Sequence, residues 1–134
     1  MRFIPLLFLA MATPAKADVF LFETPSGNIG CEVDTFVDGV AVNCQITQRN
    51  GSAIMPRPGS CGASWGHAFA VEQTGPARMV CAPVYGPFQI TNPLPYGQTV
   101  DLGAVKCSSE KTGLTCRNDE GHGFFLSRRQ QRIF

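Results

Sequence analysis

The segment Val40-Ala41-Val42-Asn43-Cys44-Gln45-Ile46-Thr47 carries the clearest structural signal in this chain. Val40, Val42, Cys44 and Ile46 fall on one side of an extended backbone, and Asn43, Gln45 and Thr47 on the other. A period of two with one apolar side is the mark of a half-buried antiparallel strand. The same kind of short apolar or alternating run recurs along the chain. Val19–Glu23, Asn28–Val33, Ala68–Gln73, Ala77–Cys81, Thr99–Cys107, Leu114–Arg117, Gly123–Ser127 and Arg132–Phe134 all read as strands. Turn residues separate them, and no stretch sustains a helical apolar period. Regularly spaced short strands of this kind predict an all-β domain, a small antiparallel sandwich or barrel. Arg49 to Pro58 and Ala82 to Pro95, rich in proline and glycine, read as loops.

The chain opens like a secretory leader. Arg2 supplies the positive start, the run from Phe3 to Met11 is apolar but too short to span a bilayer, and Ala15-Lys16-Ala17 is a small-x-small cleavage site. A signal peptide over residues 1–17 and a single domain over residues 18–134 follow as expectations. No later apolar run is long enough for a membrane span, and no cysteine sits where a lipid anchor would need one. Without Arg2 and Lys16, nine basic residues stand against ten acidic ones, a net charge of −1. That balance argues against a nucleic-acid binder, which needs a basic surface to neutralise phosphates. Within it Arg117, Arg128, Arg129 and Arg132 crowd the C-terminal end, either as a solvated strand face or as a patch for an anionic ligand.

All six cysteines lie beyond the leader: Cys31, Cys44, Cys61, Cys81, Cys107 and Cys116. An even number in a short exported chain implies a disulfide framework and an oxidising compartment. Six cysteines allow fifteen pairings, and hairpin geometry favours one of them. With Cys107 opposite Cys116, Ser108 faces Thr115, Ser109 faces Leu114 and Glu110 faces Gly113, which leaves Lys111-Thr112 as a two-residue tip. With Cys31 opposite Cys44, Val33 faces Val42, and Asp38-Gly39 falls in the connection, where a glycine at positive φ is useful. Opposed residues of an antiparallel pair are close enough to bridge. Cys61 and Cys81 then join a central loop to a strand. A metal site is disfavoured, because no Cys-x-x-Cys pair is present. A faint repeat accompanies the hairpins. Thr24-Pro25-Ser26-Gly27 and Leu94-Pro95-Tyr96-Gly97 share an x-Pro-x-Gly turn form, each read as leading into a cysteine-bearing strand.

Three groups of residues invite a chemical reading. Gly62-Ala63-Ser64-Trp65-Gly66 has the spacing of a nucleophile elbow, with Ser64 as nucleophile, His122 as base and Asp119 or Asp101 as the acid. That motif needs a strand–turn–helix elbow in a large α/β sheet, for which this chain has neither helices nor length. Asp119 and Glu120 stand beside His122 in a glycine-flanked segment, suited to a metal or to general acid/base work and equally to a polar connection. Trp65, Tyr85 and Tyr96 fall in loops, where aromatics anchor partners or cap small cores.

Thr24-Pro25-Ser26-Gly27-Asn28-Ile29-Gly30-Cys31, Leu94-Pro95-Tyr96-Gly97, Gly113-Leu114-Thr115-Cys116-Arg117-Asn118, and Gly121-His122-Gly123-Phe124 with Leu126-Ser127-Arg128 occur in order along the chain. Together they resemble a family of small secreted bacterial proteins of unknown function, some of whose members look like lipoproteins. The resemblance covers nearly all of residues 18–134. It implies an exported bacterial protein, periplasmic or secreted, and carries no substrate and no catalytic residue. It draws attention to the polar motif residues Asn28, Asn118, His122 and Arg128, whose alternative role is to hold turns by side-chain hydrogen bonds.

The residues together favour a non-enzymatic, monomeric binding domain outside the cytoplasm. Its partner would be a protein or a cell-envelope ligand, its binding residues Trp65, Tyr96, Asn118, His122 and Arg128, and it would need no cofactor and no metal. A small hydrolase or metal-dependent enzyme built on His122 with Asp119 or Glu120, and Ser64, is the alternative. A purely structural envelope protein is the third reading.

Overall fold

The computed structural model describes residues 18–134; the leader expected over residues 1–17 lies outside them. Ten strands follow one another: β1 (Asp18–Glu23), β2 (Ile29–Phe36), β3 (Gly39–Ile46), β4 (Ala68–Glu72), β5 (Arg78–Val80), β6 (Thr99–Asp101), β7 (Val105–Glu110), β8 (Gly113–Asn118), β9 (Gly123–Leu126) and β10 (Gln131–Ile133). They form two five-stranded sheets, ordered β1-β2-β3-β4-β5 and β10-β9-β8-β7-β6. Every pairing between these strands is antiparallel. Each sheet is therefore a meander in chain order, and no described strand of one sheet joins the other. The all-β expectation holds, as a sandwich rather than a closed barrel.

Side-chain alternation builds the core between the sheets. Val40, Val42, Cys44 and Ile46 of β3 point inward and are buried. Facing them from the second sheet are Val105 and Cys107 of β7, Leu114 and Cys116 of β8, and Phe124 and Leu126 of β9. The three disulfides join Cys31 to Cys44 and Cys107 to Cys116, as hairpin geometry predicts, and Cys61 to Cys81, the expected remaining pair. The register is also the expected one: Cys31 is opposite Cys44, Val33 opposite Val42, and Glu110 opposite Gly113 around the Lys111-Thr112 tip. Both cross-strand bridges face inward, and the Cys44 and Cys116 sulfurs are 4.0 Å apart across the core. Beside each bridge the next strand adds a phenylalanine, Phe69 opposite Cys44 and Phe124 opposite Cys116. Their ring centroids are 5.9 Å apart, within the range of a favourable tilted aromatic pair.

Three local features differ from the sequence reading. Thr99–Cys107 is two strands, because the chain reverses at Leu102-Gly103-Ala104; Asp101 caps that turn by accepting the Gly103 N–H at 2.9 Å. Gly39 is not a positive-φ turn residue: the tip is Val37-Asp38, and Gly39 already pairs with Phe36 at the start of β3. The two x-Pro-x-Gly turns are not equivalent. Thr24–Gly27 joins β1 to β2 and closes with a Gly27 N–H to Thr24 C=O bond of 2.9 Å, whereas Leu94–Gly97 leads into β6, which bears no cysteine. The internal repeat lives in the paired meanders and their staples instead.

Between β5 and β6 the chain returns across the outer face of the first sheet as a strap. Gln45 holds it at both ends of its amide, donating to the Pro83 carbonyl and accepting the Tyr85 N–H, and the Thr47 hydroxyl donates to the Tyr85 carbonyl. Phe88 lies on Gly30, where a Cβ would come within 2.6 Å of its ring. The far end is fixed by Glu23, only 4% exposed, whose carboxylate accepts hydrogen bonds from the Thr91 and Asn92 N–H groups and the Thr91 hydroxyl. The outer face of the second sheet carries no such cover among the described residues.

Gly123 marks the tightest backbone approach in the second sheet. A Cβ there would overlap the Cys116 carbonyl oxygen and lie 2.9 Å from the Arg117 Cα. Backbone atoms cannot swing aside as a side chain can, so Gly123→Ala is expected to lower unfolding free energy by about 3 kcal/mol or more. Gly59→Ala, with nothing within 4 Å of its added carbon, is expected to stay within about 0.5 kcal/mol of the parent. Urea unfolding of the two variants measures both.

Candidate functional site

The Thr24–Gly27 turn, the Leu94–Gly97 turn, the β7–β8 tip and the β9–β10 turn all meet at one end of the sandwich. Between them lies an open cleft of about 230 Å³, lined by Ser26, Asn28, Tyr96, Glu110, Lys111, Thr112 and Arg128 among others. Each turn is shaped by its own sequence. Pro25 suits the second position of the first turn, Lys111-Thr112 is the tip of a hairpin set by the Cys107–Cys116 register, and the Ser127 hydroxyl closes the last turn against the Gln130 N–H at 3.0 Å. The cleft gathers a phenol, a guanidinium, an ammonium, a carboxylate and hydroxyls. Such a set offers donors and acceptors of both charges to a polar ligand.

Tyr96 and Arg128 are the two sequence-selected binding residues that share this cleft. Both are exposed, Tyr96 by 41%. The Arg128 carbonyl also accepts the Asn50 N–H at 2.8 Å, which ties the loop after β3 to the same end. Asn28 lines the cleft, but its amide is engaged: Nδ2 donates to the Gln48 carbonyl at 3.0 Å and Oδ1 accepts the Gln48 N–H at 2.8 Å.

Asn118 and His122 stand at the opposite end. Asn118 is 3% exposed, and its amide works as a four-way brace. Nδ2 donates to the Glu72 and Gly75 carbonyls at 3.1 and 2.9 Å, and Oδ1 accepts the Glu120 and His122 N–H groups, each at 3.0 Å. That closes the β8–β9 turn and pins it to the β4–β5 turn, leaving no amide group for a ligand. The neighbouring acids are occupied as well. Asp119 lies 3.8 Å from Lys106, and Glu120 accepts the Gly75 N–H at 2.6 Å. Trp65 is half-buried against the core and donates from Nε1 to the Met55 carbonyl at 2.9 Å, so it secures the 49–65 loop.

Ser64 and His122 are separated by the length of β4. Ser64 precedes Ala68 at the start of that strand, and its carbonyl accepts the Ala82 N–H. His122 belongs to the turn anchored on Gly75, beyond the strand's other end. A serine nucleophile needs its base within hydrogen-bond reach, and this topology does not bring the two together. Among the described residues no three His, Cys, Asp or Glu side chains gather as a metal site requires.

A second cavity of about 440 Å³ lies under the strap, between Leu21, Glu32 and Asn43 of the first sheet and Tyr85, Phe88 and Gln89. Sequence reasoning missed it, and it missed Ser26, Glu110, Lys111 and Thr112 as site residues. Lys111 and Thr112 were legible as a hairpin tip; nothing local says which turns that tip will meet.

Fold and site together define a disulfide-stapled β-sandwich with a polar cleft at one end. The chain belongs to DUF6636, a family of unknown function, whose model matches residues 3–134. No curated protein and no solved structure shows significant similarity to it. Three disulfides that use all six cysteines fit an oxidising, extracellular type of compartment.

The two groups of motif residues should separate on substitution. Asn118→Ala removes four buried hydrogen bonds and is expected to cost about 2–3 kcal/mol of stability. Arg128→Gln, at an exposed position, is expected to change stability by no more than about 0.5 kcal/mol. Chemical unfolding of the oxidised protein reads both.

Proposed function

We propose that this protein is a non-enzymatic binding module, exported to the periplasm or beyond, which holds its partner at the cleft end of the sandwich. One observation carries the reading. Segments as distant in sequence as Thr24–Asn28, Tyr96, Gly113 and Leu126–Arg128, each part of a motif in the family resemblance, line one cleft. Stability alone does not require exposed side chains such as Tyr96 and Arg128 at that place. A disulfide-braced scaffold favours binding, because rigid loops lose little entropy when a partner is engaged. Tyr96 supplies a large contact surface with a polar tip, and Arg128 a forked donor; both residue types dominate interface energetics.

The test is an affinity capture from periplasmic extract of the source organism with the oxidised protein, repeated with Tyr96→Ala, Arg128→Gln and His122→Ala. One stoichiometric partner is expected, with retention reduced at least about tenfold by each cleft substitution and unchanged by His122→Ala. A partner that is retained equally by the cleft variants would remove the cleft from the binding surface. No partner at all would favour a structural role.

A further inference from the structure

The charge of residues 18–134 nearly cancels in sum but not in space. From Asp18 to Gln98 three basic residues stand against six acidic; from Thr99 to Phe134 six basic stand against four acidic. Of those six cations, Lys106, Arg117 and Arg132 stand on the open outer face of the second sheet and the other three at its edge, and register fixes the layout. One cross-strand row runs Asp101, Lys106, Arg117, Gly123, with Phe134 joined to Gly123 by two backbone hydrogen bonds. The next row runs Thr99, Ser108, Thr115, Phe125, Arg132. Lys111, Arg128 and Arg129 continue the positive edge around the β7–β8 tip.

Two features of this face go against stability alone. Lys106 lies directly opposite Arg117, a like-charge pair that destabilises an antiparallel sheet. Asp119, 3.8 Å from Lys106, offsets part of that repulsion, and Asp101 and Glu110 are the other acids near the face. Among the described residues Arg117, Arg128, Arg129 and Arg132 have no carboxylate within ion-pair distance. Two of these arginines are nonetheless held in place. The Arg117 Cζ is 4.8 Å from the Phe134 ring centroid, and the Arg132 Cζ is 5.0 Å from that of Phe125. Stacked guanidiniums keep their N–H edges free, preset for a planar oxyanion.

We propose that this face binds an acidic polysaccharide, a water-soluble glycan bearing carboxylates along its length. The guanidiniums and Lys106 take the carboxylates, and the hydroxyls of Thr99, Ser108 and Thr115 in the adjacent row take sugar hydroxyls. The Thr99 and Ser108 hydroxyls, 2.8 Å apart, already form a bonded pair that presents further acceptors and donors. Single-stranded nucleic acid fits less well, because base stacking needs bare aromatic faces and arginines lie over both Phe125 and Phe134. A membrane surface fits less well too, since Phe125 and Phe134 are only half exposed and no large apolar side chain stands out from the two rows. Exposed charges in such a contact are screened by salt, so affinity falls as ionic strength rises.

The experiment titrates the oxidised protein with polygalacturonate oligosaccharides, and in parallel with neutral dextran, single-stranded DNA and anionic phospholipid vesicles. The expected result is salt-sensitive binding to polygalacturonate alone. Arg117→Gln with Arg132→Gln is expected to weaken it at least about tenfold, and Lys106→Gln by a smaller factor, with a retained cooperative thermal transition reporting an intact fold. Arg78→Gln, on the other sheet, should leave binding as it is. Absence of polygalacturonate binding, insensitivity to these substitutions, or equal binding to DNA or vesicles would overturn the proposal. Tyr96→Ala is expected to bind polygalacturonate normally, so the fate of the cleft and that of this face are read separately.

Discussion

The rest of the sandwich depends on the contact between two disulfides. Cys31–Cys44 staples the middle of one sheet, Cys107–Cys116 the middle of the other, and the Cys44 and Cys116 sulfurs touch at 4.0 Å where the sheets face each other. The strands are short, three to eight residues long, and each cross-strand bridge adds stability by restricting the unfolded chain. Each bridge fixes the register of its hairpin, and a register slip of one residue would turn every inward side chain out. With both registers fixed, Phe69 and Phe124 arrive beside the bridges and meet as a tilted pair. The core thus grows outward from four sulfur atoms.

That arrangement also decides which surfaces remain for function. One sheet has its outer face crossed by the strap that Glu23, Gln45 and Thr47 hold down. The other has an outer face that no described segment crosses, and it carries Lys106, Arg117 and Arg132. At one end of the sandwich Asn118 closes the turns against each other; at the opposite end the turns stand apart and form the cleft with Tyr96 and Arg128. Family motifs occupy both ends, but they do different work there. Asn118 braces two turns and Gly123 admits the close backbone approach of β9 to β8, whereas the Tyr96 and Arg128 side chains face solvent.

Much of the framework was legible in the sequence because it is local. Period-two alternation in Val40–Thr47 and the nine-residue spacing of Cys107 and Cys116 are properties of neighbouring residues, and they specify a strand and a hairpin register without reference to anything distant. The reversal at Leu102-Gly103-Ala104 was hidden because apolar residues continue through it. Glu23 alternates with Phe22 and so reads as a solvent-facing end of a strand; its burial comes from a strap nearly seventy residues later. The cleft was illegible for the same reason. It exists only when the two meanders are laid face to face, and that docking leaves no periodic trace in the chain. Tyr96 and Arg128 were selected as residues, but not as neighbours.

A double-mutant cycle on the staples tests the central claim most directly. Cys31→Ala with Cys44→Ala, Cys107→Ala with Cys116→Ala, and the fourfold variant are unfolded in urea beside the parent. If the two bridges form one unit at the centre of the core, each loss costs about 2–4 kcal/mol and the two are coupled by more than about 0.5 kcal/mol. Strict additivity of the two losses would contradict this account, since it would make each bridge a private staple of its own sheet.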